Sequence, residues 1–203
     1  GSVTALVGPN GAGKTTLFNV ITGVYTPSSG SVRFNDREIG GVEPHKLAAL
    51  GMNRTFQNLQ IFHNMSAVEN VMVGAHLHLN KGLLSSLLRL PSLARSEVET
   101  RQHCWELMDF VGLAQYRDAE ASAMSYGALK RREIARALAA EPKLLLLDEP
   151  AAGLNDTETR EVDEVIKRIA AQGITVVLVE HDMKMVMGIS DHILVLDYGA
   201  KLA

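Results

Sequence analysis

The sequence lacks the devices of several protein classes. It has one cysteine, Cys104, so no disulfide can form within the chain. That fits a reducing compartment, as does the lack of a signal peptide. No apolar run approaches the ~20 residues that a bilayer-spanning helix needs. Membrane association would therefore run through a partner or a surface patch. Basic residues are not in excess: 20 Lys and Arg stand against 23 Asp and Glu, a net charge of -3. A nucleic-acid reader usually carries a basic footprint, so no nucleic-acid partner is expected. Internal repeats and low-complexity tracts are absent too. What remains is 203 residues, 46% apolar and 21% charged. That composition argues against wholesale disorder and suits one substantial core with an appended lobe.

Apolar spacing outlines the elements. Val3–Val7 read as a short buried strand, Gly8–Gly13 as a glycine-rich turn, and Lys14–Ile21 as a helix that Gly23 can stop. The weak alternation of Val32, Phe34 and Ile39 predicts an exposed strand or hairpin within Gly30–Ile39. Met52–Phe56 predict a strand ending at Gln57. Ser66-Ala-Val-Glu69 forms a capping box before a helix that should end at Gly74. Leu83, Leu84, Leu87 and Leu88 make an apolar helical stripe, broken at Leu90-Pro91. Ser96-Glu-Val-Glu99 offers a second capping box. Val98, Trp105, Met108 and Val111 share a face of the next helix, and Gly112 can stop it. Lys130–Ala140 predict a further helix. Leu144–Leu147 and Ile174–Val179 are apolar without alternation, as in strands buried on both faces, and Val162, Val165, Ile166 and Ile169 mark a helix between them. A last strand falls at Ile193–Leu196. This alternation means an α/β fold, a mostly parallel sheet covered by helices. An all-helical stretch interrupts it and reads as an inserted subdomain. Because the chain opens and closes at the edge of core strands, it is expected to be part of a longer one.

Gly8-Pro9-Asn10-Gly11-Ala12-Gly13-Lys14-Thr15 matches G-x-x-x-x-G-K-[ST] between a strand and a helix, the context that the pattern requires. Small residues let backbone N–H groups converge on phosphate oxygens, and the helix start adds the positive end of its dipole. Lys14 can reach the β- and γ-phosphates of ATP or a related nucleotide, the Thr15 hydroxyl can ligate Mg²⁺, and Thr16 can touch the α-phosphate. Asp148 and Glu149 put two carboxylates at the C-terminal end of a buried strand, where ligands of open α/β sheets collect. Asp148 suits Mg²⁺, directly or through water, and Glu149 suits the attacking water. Gln57 and His181 each follow a strand. Gln57 can ligate Mg²⁺ through its carbonyl oxygen, and His181 can donate to a γ-phosphate oxygen. Alone, each reads better as an ordinary polar strand-end residue.

Five motifs in order resemble the ATP-binding subunit of an ABC transporter, over essentially the whole chain. They are GPNGAGKTT (Gly8–Thr16), TFQN (Thr55–Asn58), MSYGALKRREIARAL (Met124–Leu138), LLLLDEPAAGLN (Leu144–Asn155) and VEHDM (Val179–Met183). NRTFQNLQIFHNMSAVENV (Asn53–Val71), the helical insert and EHDMKMVMGISDHILVLDYG (Glu180–Gly199) are most similar to the LivG-type ATPases of branched-chain amino-acid importers. The resemblance implies a P-loop NTPase fold. Residues 1–60 and 140–203 would form a RecA-like core with an incomplete N-terminal antiparallel subdomain, and 61–139 a helical signature subdomain. It implies ATP hydrolysis with Mg²⁺, with Glu149, His181, Gln57 and Lys14 catalytic and Thr15, Gln57 and Asp148 on the metal. It also implies a second ATP-binding subunit, identical or related, packed head to tail, so that Ser125 and Gly127 bind the γ-phosphate held by the partner's loop. Transmembrane permease subunits, and through them a periplasmic binding protein, would complete the system at the cytoplasmic face of the inner membrane. Asn155 falls in the segment that would cross the dimer seam. Where the signature usually ends in Gln, this chain has Ala128, followed by Leu129. The aromatic residue that stacks on adenine in this family precedes the phosphate loop and would lie upstream of Gly1.

Other readings stand beside this one. Lipopolysaccharide export and urea import use similar ATPases. A soluble ABC-type ATPase of DNA repair or translation usually has two cassettes or a coiled-coil insert. A P-loop small-molecule kinase would use Lys14 and Thr15 but leave the signature and His181 idle. A binding module without turnover would keep only the loop.

Overall fold

The structure is a computed structural model that describes residues 1–55, 59–77 and 91–203. Two compact units divide the chain, Gly1–Gln57 with Pro142–Ala203, and Asn58–Glu141.

The first unit is built on a six-stranded sheet. Its strands are β1 (Val3–Val7), β4 (Met52–Arg54), β5 (Leu144–Asp148), β6 (Thr175–Val179), β7 (His192–Asp197) and β8 (Ala200–Lys201), in the order β4-β5-β6-β1-β7-β8. All neighbours run parallel except β8, which turns back on β7. Leu145, Leu146 and Leu147 are fully buried, as an unbroken apolar run in a covered sheet requires. Helices α1 (Lys14–Ile21), α6 (Asp156–Ala171) and α7 (Met183–Ile189) belong to this unit. Phe18 of α1 enters the core with Leu6, Leu47, Leu146 and Val179. Burial of each such side chain stabilises the fold by roughly 1.5–3 kcal/mol before entropy is counted. Asn155 caps α6, its Oδ1 accepting from the amides of Thr157 and Glu158, and Glu158 returns the bond to complete a capping box.

The expected hairpin is present as β2 (Arg33–Phe34) and β3 (Arg37–Glu38). Its turn residues, Asn35 and Asp36, have φ of 47° and 62°, the left-handed pair that a tight hairpin demands. The short helix α2 (Pro44–Ala49) was not legible from apolar spacing. It starts on Pro44, whose missing N–H costs nothing in a first turn.

The second unit contains α3 (Ala67–Met72), α4 (Pro91–Phe110) and α5 (Tyr126–Leu138). Ser66 and Glu69 form the expected capping box. Asn70, fully buried, accepts from the Phe62 amide and donates to the carbonyls of Phe62 and Ser66, each at 3.0 Å, which sews the approaching loop onto α3. Gly74 does not end α3; the helix passes into a 3-10 turn at Val73–Leu77. A Cβ at Gly74 would lie 1.8 Å from the Arg136 carbonyl oxygen, so close packing explains the glycine.

Three further expectations need correction. Ser96–Glu99 does not open a helix, because α4 already runs from Pro91. Val98 is not on the buried face. At 100° per residue it lies out of phase with Met108 and Val111, and it is exposed while Cys104 takes the core position. The signature helix starts at Tyr126, one turn before Lys130. The Leu83–Leu88 stripe lies outside the described residues.

Candidate active site

The register of the sheet gathers the site. Leu6 pairs with Val179, and Val179 with Asp148, so β1, β6 and β5 end at one level. The segments leaving those strands carry the phosphate loop, Glu180-His181 and Glu149. Asn10, Gly11, Ala12, Gly13, Lys14, Thr15, Thr16, Glu149 and His181 line one cleft of about 210 Å³. Ligand pockets for whole drug-sized molecules run to roughly 300–1,000 Å³, so this cleft suits a phosphate tail rather than a whole nucleotide.

Sterics shape the loop. At Gly8 a Cβ would meet the Leu196 carbonyl oxygen at 2.2 Å, so only glycine lets β1 turn there. Gly13 precedes α1 with φ 97°. The Ala12 amide donates to the Pro9 carbonyl at 3.1 Å, and the Gly199 amide to the Ala12 carbonyl at 2.9 Å. Lys14 is buried, and its Nζ donates to the carbonyls of Gly8 at 2.7 Å and Pro9 at 3.0 Å. Thr15 and Thr16 are exposed on the first turn of α1.

Glu149 has φ 50°, a left-handed backbone that L-residues other than Asn, Asp and Gly seldom adopt. Such a residue carries about 1–3 kcal/mol of strain. Its amide donates to the Val179 carbonyl at 3.0 Å. His181 Nε2 lies 3.2 Å from Glu149 Oε1, with the ring half exposed and the carboxylate mostly covered. Glu180, directly before His181, is 4% exposed. Its Oε1 accepts from the Ala151 amide at 2.7 Å and its Oε2 from the His181 amide at 3.0 Å. It therefore staples the segment after β5 to the segment after β6. Sequence reasoning did not single out Glu180, although its place beside His181 at a strand end was the signal.

Asp148 is buried at the end of β5, and Arg54 Nη2 donates to its Oδ2 at 2.7 Å. Among the described residues no group of three His, Cys, Asp or Glu side chains could hold a metal by itself. That fits Mg²⁺, which is usually held by one or two carboxylates plus the oxygens of a phosphate ligand. Thr15 and Asp148 can supply the protein's share. Ser125 caps α5, its Oγ accepting from the Ala128 amide at 3.3 Å, and Gly127 is buried in the first turn. Both belong to the helical unit. Gln57 lies outside the described residues. The structure thus brings the phosphate loop, Glu149 and His181 to one cleft, with Asp148 on the adjoining strand end.

Residues 1–152 match the family described as ABC transporter. The chain is 46% identical over 202 residues to the high-affinity branched-chain amino acid transport ATP-binding protein BraF of Pseudomonas aeruginosa, covering 99% of this chain and 79% of that protein. It is 43% identical, with the same coverage, to the protein of that description called LivG in Escherichia coli strain K12. Among solved structures, the ADP conformation of MJ1267, an ATP-binding cassette of an ABC transporter, matches with a TM-score of 0.85 at 34% identity. A nucleotide-free ATP-binding cassette from an ABC transporter matches with 0.84 at 33%. Both comparisons cover 100% of this chain and 79% of the other. The fold is that of the P-loop NTPases with a helical subdomain. By fold and by sequence the chain belongs to the ABC transporter family, as one of its ATP-binding cassettes, an ATPase.

Proposed function

We propose that this cassette drives the import of branched-chain amino acids, hydrolysing ATP at the cleft between the phosphate loop, Glu149 and His181. The observation that carries the hydrolytic reading is the placement of Glu149. A strained backbone aims its carboxylate into the cleft that the loop lines, within 3.2 Å of His181. The amino-acid reading is supported by the descriptions of BraF and LivG, at 46% and 43% identity.

The loop amides and the Lys14 ammonium bind the β- and γ-phosphates and meet charge that develops on them. Glu149 takes the proton of the attacking water, and His181 orients Glu149 and the γ-phosphate. Gln57 is assigned to the same water and to the metal. Bound Mg²⁺ supplies further charge neutralisation, held by the Thr15 hydroxyl and Asp148. The sheet unit is the RecA-like nucleotide-binding core and the helical unit the signature subdomain. Ser125 and Gly127 present the start of α5 to the γ-phosphate of a second ATP-binding subunit packed head to tail. Permease subunits, served by a periplasmic binding protein, would hold the pair at the cytoplasmic face of the membrane. Among the described residues no helix is long and apolar enough to cross a membrane.

Glu149→Gln keeps the shape and removes the base. Phosphate release should fall by about 10²–10⁴ while ATP affinity holds, because only the proton-transfer step is lost. Turnover at the wild-type rate in this variant would end the hydrolytic reading. Reconstitution with the copurifying permease tests the substrate: leucine or isoleucine uptake that depends on ATP is expected, and uptake of urea alone would overturn it.

A further inference from the structure

Beside the proposed metal position lies a cation that does not line the phosphate cleft. Arg54 ends β4, in register with Leu146 on β5. Its Nη2 donates to Asp148 Oδ2 at 2.7 Å, and its Nη1 to Asn19 Oδ1 at 2.7 Å and Thr22 Oγ1 at 3.4 Å. Asn19 and Phe18 are on α1, Thr22 directly follows that helix, and the Phe18 ring lies 5.5 Å from the guanidinium carbon. The side chain of Arg54 is 15% exposed and that of Asp148 only 7%. From the other side, the Asp148 amide donates to the Thr55 hydroxyl at 3.4 Å. One planar fork thus joins the helix of the phosphate loop to the acid at the end of β5.

We infer that Arg54 is a positioning residue for the metal-handling carboxylate, setting the direction of Asp148 relative to the phosphate loop. This rests on the reading of Asp148 given above. A carboxylate with both oxygens free to rotate presents no fixed direction to a hydrated Mg²⁺, which demands near-octahedral geometry. With Oδ2 committed to Arg54, rotation about the last side-chain bond of Asp148 is stopped. The choice of arginine follows, because two targets in different directions need two N–H groups in one rigid plane, and a lysine has only a single point of charge. The guanidinium also repels an incoming cation. That opposing effect is softened because its charge is shared with Asn19, Thr22 and the Phe18 ring. Loss of direction therefore outweighs loss of repulsion, and removing Arg54 weakens metal binding.

The test is metal binding, read apart from turnover. With a non-hydrolysable ATP analogue present, Mn²⁺ is titrated and followed by its paramagnetic resonance signal in Arg54→Met, Arg54→Lys, Asn19→Ala and Asp148→Asn. Partners that orient metal ligands typically contribute 10–100-fold, so Arg54→Met should bind Mn²⁺ about tenfold more weakly. Analogue affinity without metal should stay within about twofold, since Arg54 makes no contact with the loop itself. Arg54→Lys should fall between wild type and Arg54→Met. Asn19→Ala leaves the ion pair but cuts its tether to α1, and should weaken Mn²⁺ binding by a smaller factor. Unchanged or tighter Mn²⁺ binding in a folded Arg54→Met overturns the inference. If that variant does not fold, unchanged binding in Asn19→Ala overturns it. Should Asp148→Asn leave Mn²⁺ binding untouched, the reading of Asp148 fails first. A loss in Asp148→Asn alone fails only the role of Arg54.

Discussion

Lys14, Asp148 and Glu180 of the sheet unit, and Arg132 and Glu133 of the helical unit, are all buried charges, each at most 7% exposed. The surroundings differ. In the sheet unit Asp148 ends β5, Glu180 directly follows β6 and Lys14 opens α1 after the phosphate loop, tied to loop amides, loop carbonyls and α1, beside an open cleft. In the helical unit, Arg132 donates to Glu133 at 2.9 Å, Arg136 pairs with the other Glu133 oxygen, and both arginines donate to the Gln60 carbonyl, Arg136 at 2.8 Å and Arg132 at 3.3 Å. That knot is closed upon itself. Burial pushes the Glu133 carboxyl above its ordinary value against the pull of the two arginines, and it lowers the Arg132 guanidinium. The lesson is that buried charge does not by itself mark a reactive site. Position at a strand mouth does.

The comparison breaks first, and by the largest amount, at Glu133. Glu133→Ala strands two cations and should cost about 3–5 kcal/mol by urea unfolding. Arg132→Leu should cost under about 1 kcal/mol, because Arg136 still serves both Glu133 and Gln60, and the unpartnered Nε and Nη1 of Arg132 disappear. If the two variants lose equal stability, the knot is not organised around Glu133. Neither change should alter nucleotide affinity of the loop.

Next in size is Lys14→Ala, which should spare the fold and weaken ATP binding by about 1.5–3 kcal/mol, roughly ten- to a hundredfold in Kd by calorimetry. Equal affinity in the variant would place the loop lysine among structural charges. The smallest effect concerns Cys104, sealed in the helical unit, where burial pushes the thiol from 9.0 to about 11. The unfolded thiol ionises first as pH rises. The stability linked to this group is therefore intact below pH 9 and lost as pH climbs toward 11. At about pH 9.5 native protein should react with iodoacetamide far more slowly than protein in denaturant. Equal rates would show that the helical unit opens readily.

Local rules made much of this legible. The phosphate loop, α1, the buried run of β5 and the Ser66 capping box each depend on residues within one or two turns. The false box at Ser96 shows the limit of such rules: Ser and Glu at that spacing are tolerated inside a helix, and α4 already runs from Pro91 when it reaches them. The misplaced Val98 is a matter of helical phase over ten residues, where Cys104 competes for the same face. The site was readable as a set of candidates but not as a geometry. Arg54, Asn19 and Asp148 come from three elements, and nothing in their local sequence reveals the strand order that makes them neighbours. The left-handed turn at Glu149 was hidden for the same reason, since the Val179 carbonyl that anchors it arrives from another strand.

That turn sets a limit on how this molecule can be made hardier. Glycine at 149 would relax the peptide and, by backbone geometry alone, raise the melting point. It would also delete the acid. A search for heat-resistant variants by selection on folding alone should therefore return inactive ones at this position, and only a screen that also demands turnover would keep the glutamate.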